Sequence, residues 1–547
     1  MKKRMYILFV CFSLIFTTGC SMTPSANSNE NGATSDGIVS ENSESTNNEN
    51  TASENNDAEN VNIENAVSEK NDNESNGNED TNSKDTTQLA LYSVIPTQDS
   101  FQYTAEDGTP LLYSDYQTLD ISGKDYPVLA EAFRQWQKQR IHELEKTLAD
   151  YSEIAKEDSL SYDEFYGYSV SQSYAVKRLD HSILSIIDSY SEYTGGAHPS
   201  YYQDGINFDV ATGKLLTLAD ITKDYATFTE AALPYITDYL KNLDTFDLGY
   251  YDDYETIVKE SLDTIPWYFS ASGITLMYNP YMIAPYAAGR FEVTLPFDTF
   301  KSYIKDEYHL TTATGVASIV YDGKTNAIVP TSSGSYSLTI TDGYYVDGPE
   351  VYEDVPPVIT FNGTSFTTEK YFLYLRNCYL IQQPERTLLM IDGDMASEDY
   401  TTALFDVTDG TLKEISSIFA SVETPGVDTV TLSVRQDVLG TYFTTANYDL
   451  TAGKEFHMMS DSYSIATPYS PLVTTRELPV TNSNNEKILL PAGTSLTPTT
   501  TDGETFVTIS VEGDSDTYTI HFTREDYTIM IDGVEEYEYF EMLPYAG

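Results

Sequence analysis

Tyr193-Thr-Gly-Gly-Ala-His-Pro199 is the stretch on which the fold turns. Upstream stand Tyr166–Lys177 and His181–Tyr190, runs rich in Ser, Tyr, Val and Ile with polar residues between, and downstream stands Tyr201–Phe208. Such runs predict strands, the first two paired with each other. The paired glycines, Gly195 and Gly196, let the backbone take positive φ or approach another surface closely. His198 then sits on a turn fixed by Pro199. Two roles are open to it. It contacts a ligand or gives a proton, or it bonds a backbone group and closes a tight loop, which is the preferred reading.

Upstream of these strands, Pro110–Ile121 reads as a strand, with Leu111, Tyr113, Tyr116 and Leu119 among its apolar positions. Asp125-Tyr126-Pro127 opens a helix in which Val128, Phe133, Trp136, Ile141, Leu144 and Leu148 recur near helical spacing as far as about Lys156. Asp209-Val-Ala-Thr-Gly-Lys214 is a turn, and Thr217–Ile221 and Tyr225–Leu243 are helices. Trp267–Phe269 and Ile274–Tyr278 form a hairpin around Ser272-Gly273. Phe291–Leu295 is a strand and Phe297–Ile304 a closing helix. Helices mixed with hairpins argue for an α+β unit over residues 87–310. Tyr278, Tyr281 and Tyr286, interrupted by Pro280 and Pro285, offer either an aromatic ligand platform or packing between hairpin and loop.

The order Tyr193–Pro199, Asn207-Phe-Asp209, Thr212-Gly-Lys214, Leu216–Ile221, Trp267-Tyr-Phe269, Gly273–Tyr278 and Tyr281–Gly289 resembles one family. It is the extracellular domain shared by the anti-sigma factor RsiV and the wall deacetylase PdaC. The resemblance pairs an N-terminal segment, roughly 90–190, with a signature-bearing segment, roughly 193–305, and covers under half of the chain. It implies an envelope domain that binds a ligand. In RsiV the ligand is host lysozyme, and in PdaC the domain accompanies a separate metal-dependent catalytic domain. Only four residues precede the apolar run at the N-terminus, so a transmembrane anti-sigma factor is not expected. The deacetylase signatures, a His-x-x-x-His pair and an Asp-Asp-Gly-Pro run, do not occur. The six histidines, His142, His181, His198, His309, His457 and His521, stand singly. No metal or other cofactor is expected.

Residues 1–19 have the layout of a secretory signal, with Lys2, Lys3 and Arg4, an apolar run from Met5 to about Phe16, and Thr17-Thr-Gly19 before Cys20. About 12 apolar residues fall short of the roughly 20 that span a bilayer. Small residues before a cysteine resemble the lipobox of bacterial lipoproteins, although Thr17 stands where that family usually has Leu. The resemblance implies cleavage before Cys20 and a diacylglyceryl group on its thiol. Two acyl chains at about 0.8 kcal/mol per buried methylene would hold the chain on the outer face of the membrane. Residues 20–86, built of Asn, Ser, Glu, Asp, Thr and Ala, read as a disordered acidic tether with a span of roughly 45 Å. Of three cysteines, Cys11 leaves with the signal and Cys20 carries lipid. Cys378, in the apolar run Tyr371–Ile381, reads as a buried inert thiol.

The formal net charge is −55, from 85 acidic and 30 basic residues. Phosphates would be repelled, so nucleic acid is excluded as a partner. A cationic protein fits better, and peptidoglycan is the other ligand considered. Residues 311–483 read as β-rich, with Val316–Tyr321, Tyr336–Asp342, Pro357–Phe361, Tyr371–Ile381, Thr387–Asp392 and Thr401–Asp406 as short strands between Asp-Gly and Asn-Gly turns. That spacing predicts a sandwich or a propeller-like sheet. The Asp-Gly turns lack the order of a calcium-binding loop. Residues 484–547, with Phe506–Val511, Thr517–Phe522 and Tyr527–Ile531, are expected to close as a small SH3-like barrel. The sequence favours a non-catalytic ligand-binding, sensor or adaptor protein. A peptidoglycan-modifying enzyme and a structural envelope-assembly lipoprotein are the alternatives. The candidate ligand contacts are Tyr193, Gly195, Gly196, His198, Tyr278, Tyr281 and Tyr286, and the lipid site is Cys20.

Overall fold

The computed structural model describes residues 91–546 except 107, 162–164, 166, 244–248, 323–324, 342–343, 348–351, 396–398, 452–454, 467–470 and 526. The expected signal, Cys20 and the tether lie outside the described residues, as do the Asp342-Gly343 turn and Gly323. No described helix is long and apolar enough to cross a membrane.

Strand β1 (Ser93–Thr104) pairs antiparallel with β2 (Pro110–Ser122). Helix α1 (Pro127–Ser161) starts on a proline, whose fixed φ suits a first helical position. It buries Leu129, Phe133, Leu144 and Leu148, spaced four apart within each pair. The helix is the crossover that lets β3 (Tyr168–Asp180) lie parallel to β2. β3, β4 (Ile183–Tyr193) and β5 (Ser200–Asp209) then run as an antiparallel meander. The turn between β3 and β4 is set by Asp180, whose Oδ1 accepts from the N–H groups of Ser182 and Ile183 at 2.7 and 2.9 Å.

Next come α2 (Leu218–Ile221), α3 (Tyr225–Leu243) and α4 (Tyr254–Ser261). Thr217 and Asp220 close a reciprocal capping box on α2. α3 buries Phe228, Ala232, Ile236 and Leu240, one residue per turn. These side chains meet a three-stranded sheet of β6 (Trp267–Phe269), β7 (Gly273–Tyr278) and β8 (Phe291–Pro296) in one apolar core. The expected closing helix is shorter than its sequence suggests. Phe297–Phe300 is α-helical and Lys301–Tyr303 tightens into a 3₁₀ turn.

Strand β9 (Gly315–Ser318) joins the two halves of the chain. It pairs with residues 178–180 of β3 on one side and with the strand Tyr374–Gln382 on the other. A ten-stranded sheet therefore continues from β1–β5 through β9 into Tyr374–Gln382, Thr387–Asp394, Tyr400–Asp406 and Lys413–Ile418. Residues on both sides of position 310 share it. A four-stranded sheet (Asn326–Thr331, Gly334–Thr341, Val358–Phe361, Thr364–Thr367) shares a core with it, where Val329, Leu338, Ile340 and Ile359 meet Leu380, Leu389, Ile391 and Phe405. Asn362 and Gly363 both take positive φ, 47° and 77°, the geometry that an Asn-Gly hairpin favours.

The N-terminal region is thus mixed α and β, and the rest is largely β. Among the described residues, the SH3-like barrel expected over 484–547 does not close. Leu478–Asn482, Lys487–Leu490, Ser495–Thr501, Phe506–Val511 and Thr517–His521 are one end of an eleven-stranded sheet that begins at Ser421–Thr424. Ser495–Thr501 pairs with Phe506–Val511 on one edge and with Tyr463–Ile465 and Leu472–Val473 on the other. With both edges engaged it makes no pairing with Lys487–Leu490 that would close a ring among the described residues. Tyr527–Ile531 belongs to a separate three-stranded sheet, in which Thr528–Ile531 pairs with Thr523–Glu525 and Val534–Glu535.

Candidate functional site

The β6–β8 sheet lies against β4 and β5 at backbone distance. Asn207 donates its amide to the carbonyl of Trp267 at 2.8 Å. Ser185 Oγ, which donates to Asn207 Oδ1 at 2.6 Å, takes the N–H of Phe269 at 3.0 Å. Both polar side chains are buried, and each bonds the backbone of the neighbouring layer. Gly205 makes this approach possible, since a Cβ there would stand 1.7 Å from the Trp267 carbonyl oxygen. Asp209 has a structural task too. Its Oδ1 takes the N–H and hydroxyl of Thr212 at 2.8 and 2.7 Å, and its Oδ2 takes the Tyr308 hydroxyl at 3.2 Å.

The loop after β7 is latched to β5 by Asn279, which is buried. Its side chain accepts from the N–H of Gln203 at 2.9 Å and donates to the Gln203 carbonyl at 2.8 Å. The hydroxyl of Tyr286 donates to the carbonyl of Pro199 at 2.7 Å, which ties this loop to the one before β5. His198 thereby comes to lie flat on Tyr286, with ring centres 3.7 Å apart and planes 12° from parallel. Tyr201 meets Tyr286 edge-on at 5.5 Å, and Tyr281 meets it tilted at 5.7 Å. His198 is exposed and Tyr281 is 57% exposed, while Tyr201 and Tyr286 are half-buried. Burial, and secondarily the neighbouring Tyr281, pushes the Tyr286 hydroxyl above its ordinary pKa. Burial and then Tyr286 do the same for Tyr201, against the opposing charge of Arg290.

The structure thus brings together His198, Tyr281 and Tyr286 of the sequence candidates. Tyr193 closes the same loop by donating its hydroxyl to the Gly196 carbonyl at 3.1 Å. Gly195 and Gly196 take φ of 95° and 100°, with nothing within 4 Å of where a Cβ would stand. His198 Nδ1 lies 3.0 Å from the Pro199 carbonyl, the backbone bond that the sequence reading preferred, and its ring also presents a face to solvent. Tyr278 stands apart from the group. It is fully buried in the core beneath α3, and burial drives its hydroxyl pKa well up. Every position of β7 is buried, so residue 278 faces protein on either side of the strand. Sequence reasoning missed Tyr201, Asn279 and Gln203. The Tyr201-Tyr202 pair was visible as a strand start, and Asn279 between Tyr278 and Pro280 as a turn residue.

A second polar cluster lies under α1. Asp188 is 2% exposed, accepts from Arg140 Nε and Gln172 Nε2 at 2.9 Å each, and faces Asp204 across β4 and β5. Tyr151 and Tyr190 both donate to Glu192, at 2.7 and 2.8 Å. Burial raises the Asp188 carboxyl above the usual range, outweighing Arg140. Among the described residues no group of three or more His, Cys, Asp and Glu side chains is placed to hold a metal ion.

The fold up to β9 and its two latched loops define an α+β module with an aromatic surface group. Residues 105–201 match the family model of the deacetylase PdaC, and residues 219–298 match that of a protein family of unknown function, DUF3298. The chain therefore carries both segments that the resemblance implied, in the implied order. Among solved structures it is similar to a DUF3298 family member from Bacteroides fragilis, at 21% identity and TM-score 0.31, covering 40% of this chain and 95% of that one. A DUF3298 family protein from Pseudomonas aeruginosa is similar at 21% identity and TM-score 0.28, covering 40% and 97%. No curated protein matches.

Proposed function

We propose that this chain is a lipid-anchored cell-envelope protein that binds a ligand outside the membrane without turning it over, through the aromatic group of His198, Tyr201, Tyr281 and Tyr286. The observation that carries the reading is the parallel stack of His198 on Tyr286, held by two latched loops, with solvent at its outer face. Exposed aromatic rings held rigid give contact area at low ordering entropy, which suits binding. Membrane attachment through diacylglyceryl-Cys20 is part of the same reading and rests on the N-terminal signal pattern. The ligands considered are a cationic protein such as lysozyme and a wall component such as peptidoglycan. The net charge of −55 supports the first, and the PdaC match supports the second.

The test is capture of lysozyme and of purified peptidoglycan by the full chain, with Tyr286→Ala alongside. Binding of either ligand, weakened by the substitution, is the expected result. Binding of neither would overturn the reading. Replacing Cys20 with Ala should release the chain from membranes, and continued membrane attachment would sink the anchoring half of the proposal. A wall-modifying enzyme is the second reading, favoured by the deacetylase family match over 105–201. Acetate release from peptidoglycan that persists through purification would establish it in place of the first.

A further inference from the structure

We infer that the aromatic group takes the face of a neutral glycan rather than a cationic polypeptide; this rests on the reading of that surface as a ligand contact. The decisive observation is a gap in the charge pattern. Residues 193–203 and 278–289, which build the group, contain no Asp, Glu, Lys or Arg, although the chain has 85 acidic and 30 basic residues. A lysine- or arginine-rich partner is recognised by carboxylates at the contact, and these two loops supply none.

The acids that flank the loops are engaged elsewhere. Glu192 accepts the hydroxyls of Tyr151 and Tyr190, and Asp204 accepts the N–H of Gly205. Side chains alternate along a strand, so Glu192 and Asp204 stand on the face opposite Tyr193 and Tyr201. Arg290, just past the second loop, is paired with Glu292 at 2.8 Å and donates to Gln203 Oε1. What remains outward is ring surface, chiefly the free face of His198 and the exposed ring of Tyr281. The negative face of an aromatic ring meets the polarised C–H groups on one side of a pyranose, a contact that needs no charge.

Backbone strain points the same way. Tyr281 holds φ at +68°, a strained conformation that side-chain-bearing residues seldom adopt. The latch of Asn279 to Gln203, two residues away, fixes the start of that loop, and the result is a tyrosine turned outward.

The experiment is titration of the full chain with a soluble chitooligosaccharide, a neutral probe, at low and high salt, beside a titration with lysozyme. The chitooligosaccharide is expected to bind with an affinity that salt leaves unchanged. Tyr281→Ala should weaken it roughly three- to tenfold, Tyr281→Phe should keep it, and Tyr527→Ala, which removes a ring 97% exposed elsewhere, should leave it alone. Unchanged melting temperatures show that the variants fold. Lysozyme binding that Tyr281→Ala abolishes, with no chitooligosaccharide binding, would overturn the inference and leave the ligand-binding function standing. Chitooligosaccharide binding indifferent to Tyr281→Ala would also overturn it. Binding of neither probe would overturn both.

Discussion

The region before β9 and the region after it differ in how closely their layers approach each other. Before β9, buried polar side chains bond backbone in the next layer, as Asn207 and Ser185 do to Trp267 and Phe269, and Asn279 does to Gln203. After β9, layers meet through apolar side chains, as where Val329, Leu338 and Ile340 face Leu389, Ile391 and Phe405. Polar bonds of that second region also cross between its sheets, as where buried Gln382 donates to the Pro330 carbonyl at 2.7 Å, and they line its turns, where Asp409 and Asp502 accept from the residues that follow them. A backbone-to-backbone contact has little tolerance in distance or register, whereas apolar packing adapts to small changes of shape. The first arrangement can fix two loops rigidly enough to present a ring stack, and the second builds an extended sheet.

The close approach at Gly205 is the most sensitive point of the first region. Gly205→Ala places a methyl group 1.7 Å from the Trp267 carbonyl oxygen, where only movement of one layer can relieve it. Overpacking of this kind costs about 3 kcal/mol, to be read by urea denaturation. The same substitution should loosen the Asn279–Gln203 latch and lower ligand affinity with it. A loss below about 1 kcal/mol would show that the layers give as easily as an apolar core, and the contrast between the two regions would fail. The paired measurement is Ile340→Val in the β-rich half, a residue 1% exposed. Removing one methyl group there is expected to cost roughly 0.5–1.5 kcal/mol.

These positions also mark what could be read in the sequence. Helices α1 and α3 were legible because Pro127 starts one and the stripe Phe228, Ala232, Ile236, Leu240 runs through the other. Cys378 was legible as buried. It is 1% exposed, and burial pushes its thiol pKa well up. Strand β9 was not legible as a link, because its four residues draw their partners from 178–180 and 379–382, and no local pattern encodes so distant a pairing. The barrel was misread for the same reason, since the second edge of Ser495–Thr501 is taken by strands outside the last 65 or so residues. At the site, spacing alone grouped Tyr278 with Tyr281 and Tyr286. A strand buried on both faces gives no alternation to separate an inward tyrosine from an outward one. The positive φ of Tyr281 has no signature in a tyrosine, and the stack of His198 on Tyr286 depends on a latch from Asn279 that only the fold reveals.

The electrostatics of the two regions differ in sign. In the β-rich half Asp409 is exposed, and Lys413, then the hydroxyl and N–H of Thr411, hold its carboxyl down at about 2. A depressed value favours the ionised form in the fold. Its contribution is therefore present above the unfolded value of about 3.9 and is lost as pH falls towards 2. Under α1, Asp188 is displaced upward by burial, against Arg140 and Gln172. Arg140 and Glu143 approach from the helix, Gln172 and Tyr174 from β3, and Asp204 and Tyr202 from β5. A raised value favours the protonated form in the fold, so its contribution is complete below the unfolded value and is lost as pH rises through the folded one. Melting temperatures from pH 2 to 6 should then respond in opposite directions. Asp409→Asn flattens the loss of stability at the acid end, and Asp188→Asn flattens a decline above pH 4. If both substitutions alter the pH slope with the same sign, buried side chains before β9 and turn side chains after it are not electrostatically distinct.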